Sequence, residues 1–233
     1  MKLVSFVICP FVQRIAALLE AKKAPYEIEY IDLSNKPQWF LDISPNGQVP
    51  VLITDEGAIF ESEAIYEYLE EISPSLDANR SPYEKSMYRA WSYLGVKNYM
   101  VQCALMRSSD ADTLKERSDI FGKALDKIEN VLDEHQFFHG NALTRVDISW
   151  FPLLHRAYII QENTGFDMIG ARPKIKNWQK NLMQTGLDKS SVAEDFVEQF
   201  KGFYLSDKTY LGAGHNVAHS NYADAETAES IMH

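Results

Sequence analysis

Cys9 stands where a short apolar run, Val7-Ile8-Cys9, meets Pro10 and the start of a helical pattern. A helix N-terminus presents unpaired N–H groups and about half a positive charge. Both stabilise a thiolate, the nucleophilic form of cysteine. Val12 occupies the position at which a Cys-x-x-Cys redox pair carries its second sulfur, and the other cysteine, Cys103, lies far along the chain. A lone thiolate can form a mixed disulfide, but an outside thiol must resolve it. The same pattern also fits an inert cysteine packed as a small hydrophobe.

Two further stretches could serve that thiol. In Gln48-Val49-Pro50 the proline precedes a strand pattern. It marks either an ordinary loop or a fixed bend with a cis bond, and a cis bond would leave the backbone of Val49 free to pair with an extended peptide. Glu61-Ser62-Glu63-Ala64-Ile65 opens a helix. Ser62 is either a plain cap or part of an anion site made with the free N–H groups. Glu61 beside it could take an ammonium group. The pair suits an α-amino acid end, which glutathione, the abundant cytosolic thiol, carries.

The elements that hold these stretches follow from periodicity. Lys2–Ile8 reads as a buried strand. Phe11, Val12, Ile15, Leu18 and Leu19 recur at helical spacing, with Pro10 tolerated at the first helical position. Tyr26–Ile31 is a second strand, and Asn35-Lys36-Pro37 opens a short turn or helix. Val51–Thr54 and Ala58–Phe60 flank the tight turn Asp55-Glu56-Gly57 as a hairpin. A helix from Ser62 completes the order β-α-β-α-β-β-α, which implies one parallel pair and added antiparallel strands. Beyond a Ser- and Pro-rich linker the pattern turns wholly helical. Helices are expected over Tyr83–Met106, Asp112–His135, Arg145–Glu162, Pro173–Met183 and Ser191–Phe203. Thr144-Arg145-Val146-Asp147 resembles a capping box with Asp in the usual Glu position. The domains are expected at 1–75 and 83–204, joined by 76–82, with a polar tail over 205–233 to which no element is assigned.

The chain has 233 residues, 45% of them apolar, and a net charge of −10. That balance disfavours nucleic acid or anionic lipid as the main partner, since both select basic surfaces. Two cysteines make no disulfide framework, so a reducing, cytoplasmic setting is expected. The apolar N-terminal run resembles a short signal peptide, but Pro10 and Arg14 interrupt it. No segment approaches the ~20 apolar residues of a membrane helix. Among the histidines, His215 and His219 stand four apart without a third ligand, and no metal site is expected.

Cys9-Pro10-Phe11-Val12, Gln48-Val49-Pro50-Val51-Leu52 and Glu61-Ser62-Glu63-Ala64-Ile65 resemble the cytosolic glutathione transferases in order and spacing, and the capping box matches that family's second domain. Asn35-Lys36-Pro37-Gln38-Trp39-Phe40 is closest to the omega class, which carries a catalytic Cys. The resemblance covers residues 1–185. It implies an α/β thioredoxin-like domain followed by an all-α domain, glutathione as co-substrate, and a homodimer. It further implies that Cys9 bonds the glutathione sulfur and that Phe11 and Lys36 contact the tripeptide. Val49 would pair with its cysteinyl part ahead of cis-Pro50, and Glu61 and Ser62 would hold its γ-glutamyl end. An acceptor pocket between the domains would draw on Tyr93, Asn98, Met106, His155 and Tyr158, by position only.

The expected activity is glutathione-dependent thiol transfer or reduction through a Cys9–glutathione disulfide, on small mixed disulfides or dehydroascorbate. The alternatives are glutathione conjugation to an electrophile and a non-catalytic binding module of the same fold.

Overall fold

A computed structural model describes residues 1–214. Four strands, β1 (Lys2–Ser5), β2 (Glu27–Tyr30), β3 (Val51–Ile53) and β4 (Ala58–Phe60), form one sheet in the order β2-β1-β3-β4. β1 and β2 are parallel through a crossover containing helix α1 (Pro10–Ala21). β3 runs antiparallel to β1, and β4 antiparallel to β3. Lys2 pairs with Glu27 on one side and Ile53 on the other, so β1 is the buried centre of the sheet. A short α2 (Gln38–Ile43) and α3 (Ser62–Ile72) complete the unit. This is the expected order of elements, with its parallel pair and hairpin.

The rest of the described chain is helical: α4 (Pro82–Lys97), α5 (Tyr99–Met106), α6 (Ala111–Val131), α7 (Arg145–Thr164), α8 (Pro173–Met183), α9 (Leu187–Ser190) and α10 (Phe196–Tyr204). α4 begins with a capping box, in which Glu84 N–H donates to Ser81 Oγ and Ser81 N–H to the Glu84 carboxylate. The single helix expected over 83–106 is two. Asn98 turns its side-chain amide back to donate to the Leu94 carbonyl at 2.7 Å, and the chain restarts as α5 from there. The helix expected over 191–203 is also divided. Ser191 Oγ donates to the Leu187 carbonyl, closing α9, and α10 starts five residues later. The tail is ordered at its start: Tyr210 N–H donates to the Ser108 carbonyl at 2.7 Å and Leu211 is buried. His215 and His219 lie outside the described residues.

Helix α7 is the axis of the second domain, buried on nearly every side. Asp147 anchors it. Its carboxylate accepts from Thr144 N–H (2.8 Å) and Thr144 Oγ1 (2.6 Å), closing the expected capping box. It also accepts from Phe138 N–H at 2.9 Å and Trp178 Nε1 at 2.6 Å, tying the preceding loop and α8 to one side chain. Burial pushes this carboxyl above its ordinary range against those four donors.

The two domains meet along α1 and α7. Arg14 of α1 is wholly buried; its Nε donates to Ser149 Oγ of α7 at 3.0 Å and its Nη1 pairs with Glu63 of α3 at 2.7 Å. Arg145 of α7 pairs with Glu67 of α3 at 2.7 Å. Tyr66 lies under both guanidinium groups, 4.6 and 4.4 Å from its ring centre. Polar groups of both domains therefore share one buried network, where an unpaired member would cost several times an ordinary hydrogen bond.

Candidate functional site

One cleft of about 480 Å³ opens along the edge of the first domain where α5 approaches it. The order β-turn-α places Cys9 at its floor. The Phe6–Cys9 turn, closed by Cys9 N–H to the Phe6 carbonyl at 3.0 Å, ends the strand segment. Cys9 then caps α1 with extended backbone angles, Pro10 following at the first helical position. Phe11 stands beside it, its ring edge-on to Tyr99 with centres 5.0 Å apart.

The second wall is the loop before β3. The Val49-Pro50 peptide is cis. Among the described residues, no hydrogen bond occupies the N–H or C=O of Val49. Ser44 holds this loop in shape: its Oγ donates to the Gln48 carbonyl and accepts from Gln48 N–H, at 2.9 and 3.0 Å. Lys36 crosses above Gly47. A Cβ on Gly47 would lie 3.4 Å from the Lys36 ammonium, and the φ of +57° there also favours glycine.

The third wall is the start of α3. Glu61 has φ 69°, ψ 120°, a left-handed-side conformation unusual for a residue with a side chain. Such strain is held only where surroundings over-determine it, commonly at binding sites. No side chain caps α3, so its first N–H groups are left without a side-chain partner at the point where Glu61 and Ser62 line the cleft, as an anion site would need. Asn46 Nδ2 donates to the Glu61 carboxylate at 3.0 Å.

The cleft thus brings together the seven residues named from the sequence for the thiol and the tripeptide: Cys9, Phe11, Lys36, Val49, Pro50, Glu61 and Ser62. It adds Leu33, Ser44, Asn46, Phe60 and Met100, among others, which the sequence reading missed. Asn46-Gly47 carries a turn signal that could have marked Asn46 as a loop-shaping residue. Met100 belongs to no motif; it lies in the first turn of α5, just past the break at Asn98.

The electrostatics of Cys9 contain opposing contributions. The N–H groups of Val12 and Phe11, and the Arg156 guanidinium, each pull its thiol down as a helix N-terminus should. Burial outweighs them, and the thiol lies above an ordinary cysteine. Thiolate-stabilising groups thus stand around Cys9 and act against the cost of its partial burial.

The comparisons with known proteins agree with this geometry. Residues 3–81 match the family model "Glutathione S-transferase, N-terminal domain", and residues 95–185 match "Glutathione S-transferase, C-terminal domain". The chain belongs to the glutathione S-transferase family. It is 33% identical over 177 residues to Glutathione S-transferase DHAR2 of Arabidopsis thaliana, spanning 75% of this chain and 79% of that protein. It is 32% identical over 183 residues to Glutathione S-transferase omega-1 of Sus scrofa, spanning 76% and 73%. The crystal structure of glutathione transferase Omega 3C from Trametes versicolor superposes with a TM-score of 0.71 at 26% identity, covering 83% of this chain and 89% of that one.

In this glutathione transferase, the five positions expected to line an acceptor pocket are not brought together at the cleft. Met106 is wholly buried core and Asn98 is spent on the α4–α5 junction. His155 is packed between Phe151 and Phe196, ring centres 5.6 and 5.4 Å away, and shares a hydrogen bond of 2.8 Å with Gln13. Tyr93 and Tyr158 are exposed, and none of the five lines the cleft. Met100 is the helical-domain residue that does. The described residues hold no cluster of three or more metal-ligating side chains, and no helix among them is long and apolar enough to cross a membrane.

Proposed function

We propose that the protein is a glutathione-dependent thiol transferase and reductase that works through Cys9. The observation that carries this reading is the convergence on one cleft of a lone cysteine sulfur, a free backbone pair at Val49 and an uncapped helix start at Ser62. Glutathione has a group for each. Its γ-glutamyl carboxylate takes the α3 N-terminus and Ser62, with the ammonium beside Glu61. Its cysteinyl backbone pairs with Val49, and Lys36 and Phe11 contact the rest of the tripeptide.

In the reaction, the Cys9 thiolate attacks the glutathione sulfur of a mixed disulfide. The Cys9–S–glutathione bond forms as the old S–S bond breaks, and the other thiolate leaves and takes a proton from solvent. The thiolate of a second glutathione attacks the bound glutathione sulfur, releasing oxidised glutathione and the Cys9 thiolate. With dehydroascorbate the same site would deliver two electrons, two glutathiones becoming one disulfide. A homodimer and a reducing cytoplasmic setting belong to the same proposal.

Cys9→Ser tests it. Thiol transfer from a glutathione mixed disulfide should fall by at least about 100-fold, since the nucleophile that forms the covalent intermediate is gone. Undiminished turnover would overturn the mechanism, and a gain of conjugating activity would reveal latent transferase chemistry. The burial that raises the Cys9 thiol favours a second reading, a binding module without turnover. No thiol transfer by the parent, together with no retention on immobilised glutathione, would select it.

A further inference from the structure

Arg156 is wholly buried in α7 and, among the described residues, has no carboxylate partner. Its Nη2 donates to the Ile8 carbonyl at 2.9 Å and its Nη1 to the Pro152 carbonyl at 3.0 Å. Nη1 also donates to Gln13 Oε1. All three acceptors are neutral, and Nε has no partner. The other deeply buried arginines differ: Arg14 pairs with Glu63, and Arg145 with Glu67 and Glu63. Burial pulls Arg156 down from its ordinary value, yet arginine starts high enough to stay charged at neutral pH. A cation taken from water without a counter-charge is costly, and buried charges are ordinarily paired.

The groups around it show which anion is missing. The groups near Arg156 able to carry negative charge are, in order of their effect on it, Cys103 of α5, Tyr204 of α10, Cys9 at the cap of α1, and Tyr99 of α5. Tyr99 and Tyr204 are buried phenols held far above neutral pH by desolvation. Tyr99 donates to the Ser149 carbonyl and Tyr204 to Cys103 Sγ at 3.2 Å. His155 beside Arg156 is held neutral. Arg14 of α1, the remaining cation in this region, is already matched by Glu63 of α3. Cys103 is buried, whereas Cys9 lines the cleft. Arg156 also holds the chain on both sides of Cys9: it donates to the carbonyl of Ile8 just before it and to the side-chain oxygen of Gln13, the residue whose backbone N–H donates to the Cys9 carbonyl at 3.1 Å.

We propose that Arg156 is the fixed counter-cation of the Cys9 thiolate, a positioning residue supplied by the helical domain to a nucleophile of the first domain. When Cys9 loses its proton to solvent, the guanidinium gains the anion it lacks and the sulfur gains a nearby charge. The inference rests on the proposed role of Cys9 and deepens it: ionisation of a sulfur half withdrawn from solvent is assisted across the domain boundary.

The test is the pH dependence of Cys9 alkylation by iodoacetamide, in which sulfur takes the acetamide carbon and iodide leaves. Peptide mass separates Cys9 from Cys103. The reaction needs no glutathione, so it remains readable in a parent that fails to transfer thiols, and the two proposals fail separately. In Arg156→Met the midpoint should move by about one pH unit to the alkaline side, the lower end of what a nearby opposite charge produces. Arg156→Lys should restore most of it. Gln13→Glu supplies the absent carboxylate with little change of shape and keeps the question answerable should the Met variant not fold. It should move the midpoint the same way when read between neutral and about pH 11.5, where the histidine is unprotonated. Coincident profiles in Arg156→Met or, failing its folding, in Gln13→Glu would overturn the proposal. So would an equal displacement by Met and Lys, or a shift confined to Cys103.

Discussion

Asn46 donates its side-chain amide to the Glu61 carboxylate across 3.0 Å, joining the loop before cis-Pro50 to the residue that opens α3. Two walls of the cleft are thereby held at a set separation, and a strained residue is held in its conformation. Asn46→Ala should therefore raise KM for glutathione about fivefold and leave kcat unchanged, a loss of ~1 kcal/mol that fits one partly exposed hydrogen bond to a charged group. Steady-state kinetics with glutathione varied would check it. A fall in kcat at constant KM would place Asn46 in the chemical step instead.

Gly95 of α4 faces Trp150 of α7, and a Cβ there would lie 2.9 Å from the indole ring. The ring cannot swing aside, because it is buried and its Nε1 donates to the Trp91 carbonyl at 2.9 Å. Gly95→Ala should destabilise the protein by about 1–3 kcal/mol, although alanine favours a helix by up to ~1 kcal/mol over glycine. Urea unfolding would decide which effect wins.

His155 offers a pH test of folding. Burial holds it down to about 3, against an ordinary 6.5. Below that ordinary value the unfolded chain takes up a proton that the folded protein refuses, so stability falls as the solution is acidified. At about pH 4.5 the loss should reach ~2–3 kcal/mol relative to neutral pH. His155→Phe, which keeps an aromatic ring between Phe151 and Phe196, should flatten that slope. Equal slopes in denaturant titrations of the two proteins would assign the acid sensitivity elsewhere.

Asp147→Ala would leave the N–H groups of Thr144 and Phe138 and the indole of Trp178 without their shared acceptor. We expect a loss of about 3 kcal/mol or more, since several buried neutral donors lose their acceptor at once, each costing about 1–3 kcal/mol if nothing replaces it. Thermal unfolding of the variant would measure it, and a loss below ~1 kcal/mol would mean that solvent or a neighbouring group replaces the carboxylate.

The first domain was legible because its signals are local. Pro10 after Cys9, the turn at Asp55-Glu56-Gly57 and Ser62 at a helix start each act within a few residues, and each stands where it was expected. The capping box at Thr144 was readable for the same reason. What escaped depends on partners distant in sequence. Nothing around Arg14 or Arg156 distinguishes a wholly buried guanidinium from a surface one, because Ser149 and Ile8, their partners, lie 135 and 148 residues away. Asn98 sits inside an apolar helical run, and only its bond to Leu94 shows that the run breaks. For Cys9 the helix N-terminus is visible in sequence, whereas the burial that opposes its effect on the thiol is not.

The polar seam between α1 and α7 bears on how freely such a chain can be taken apart. Gln13 and Arg14 follow Cys9 within two turns of helix; Gln13 spends its side chain on the second domain, and Arg14 joins Ser149 and Ser92 of that domain to Glu63 of the first. A first domain cut away after Ile72 would keep its sheet yet expose Arg14 and strip Gln13 of its partners. It could not be transplanted onto another helical domain unless that domain also brought counterparts of Ser149, His155 and Arg156. The two halves are therefore expected to diversify together, with exchange of one alone disfavoured by the side chains of a single helix.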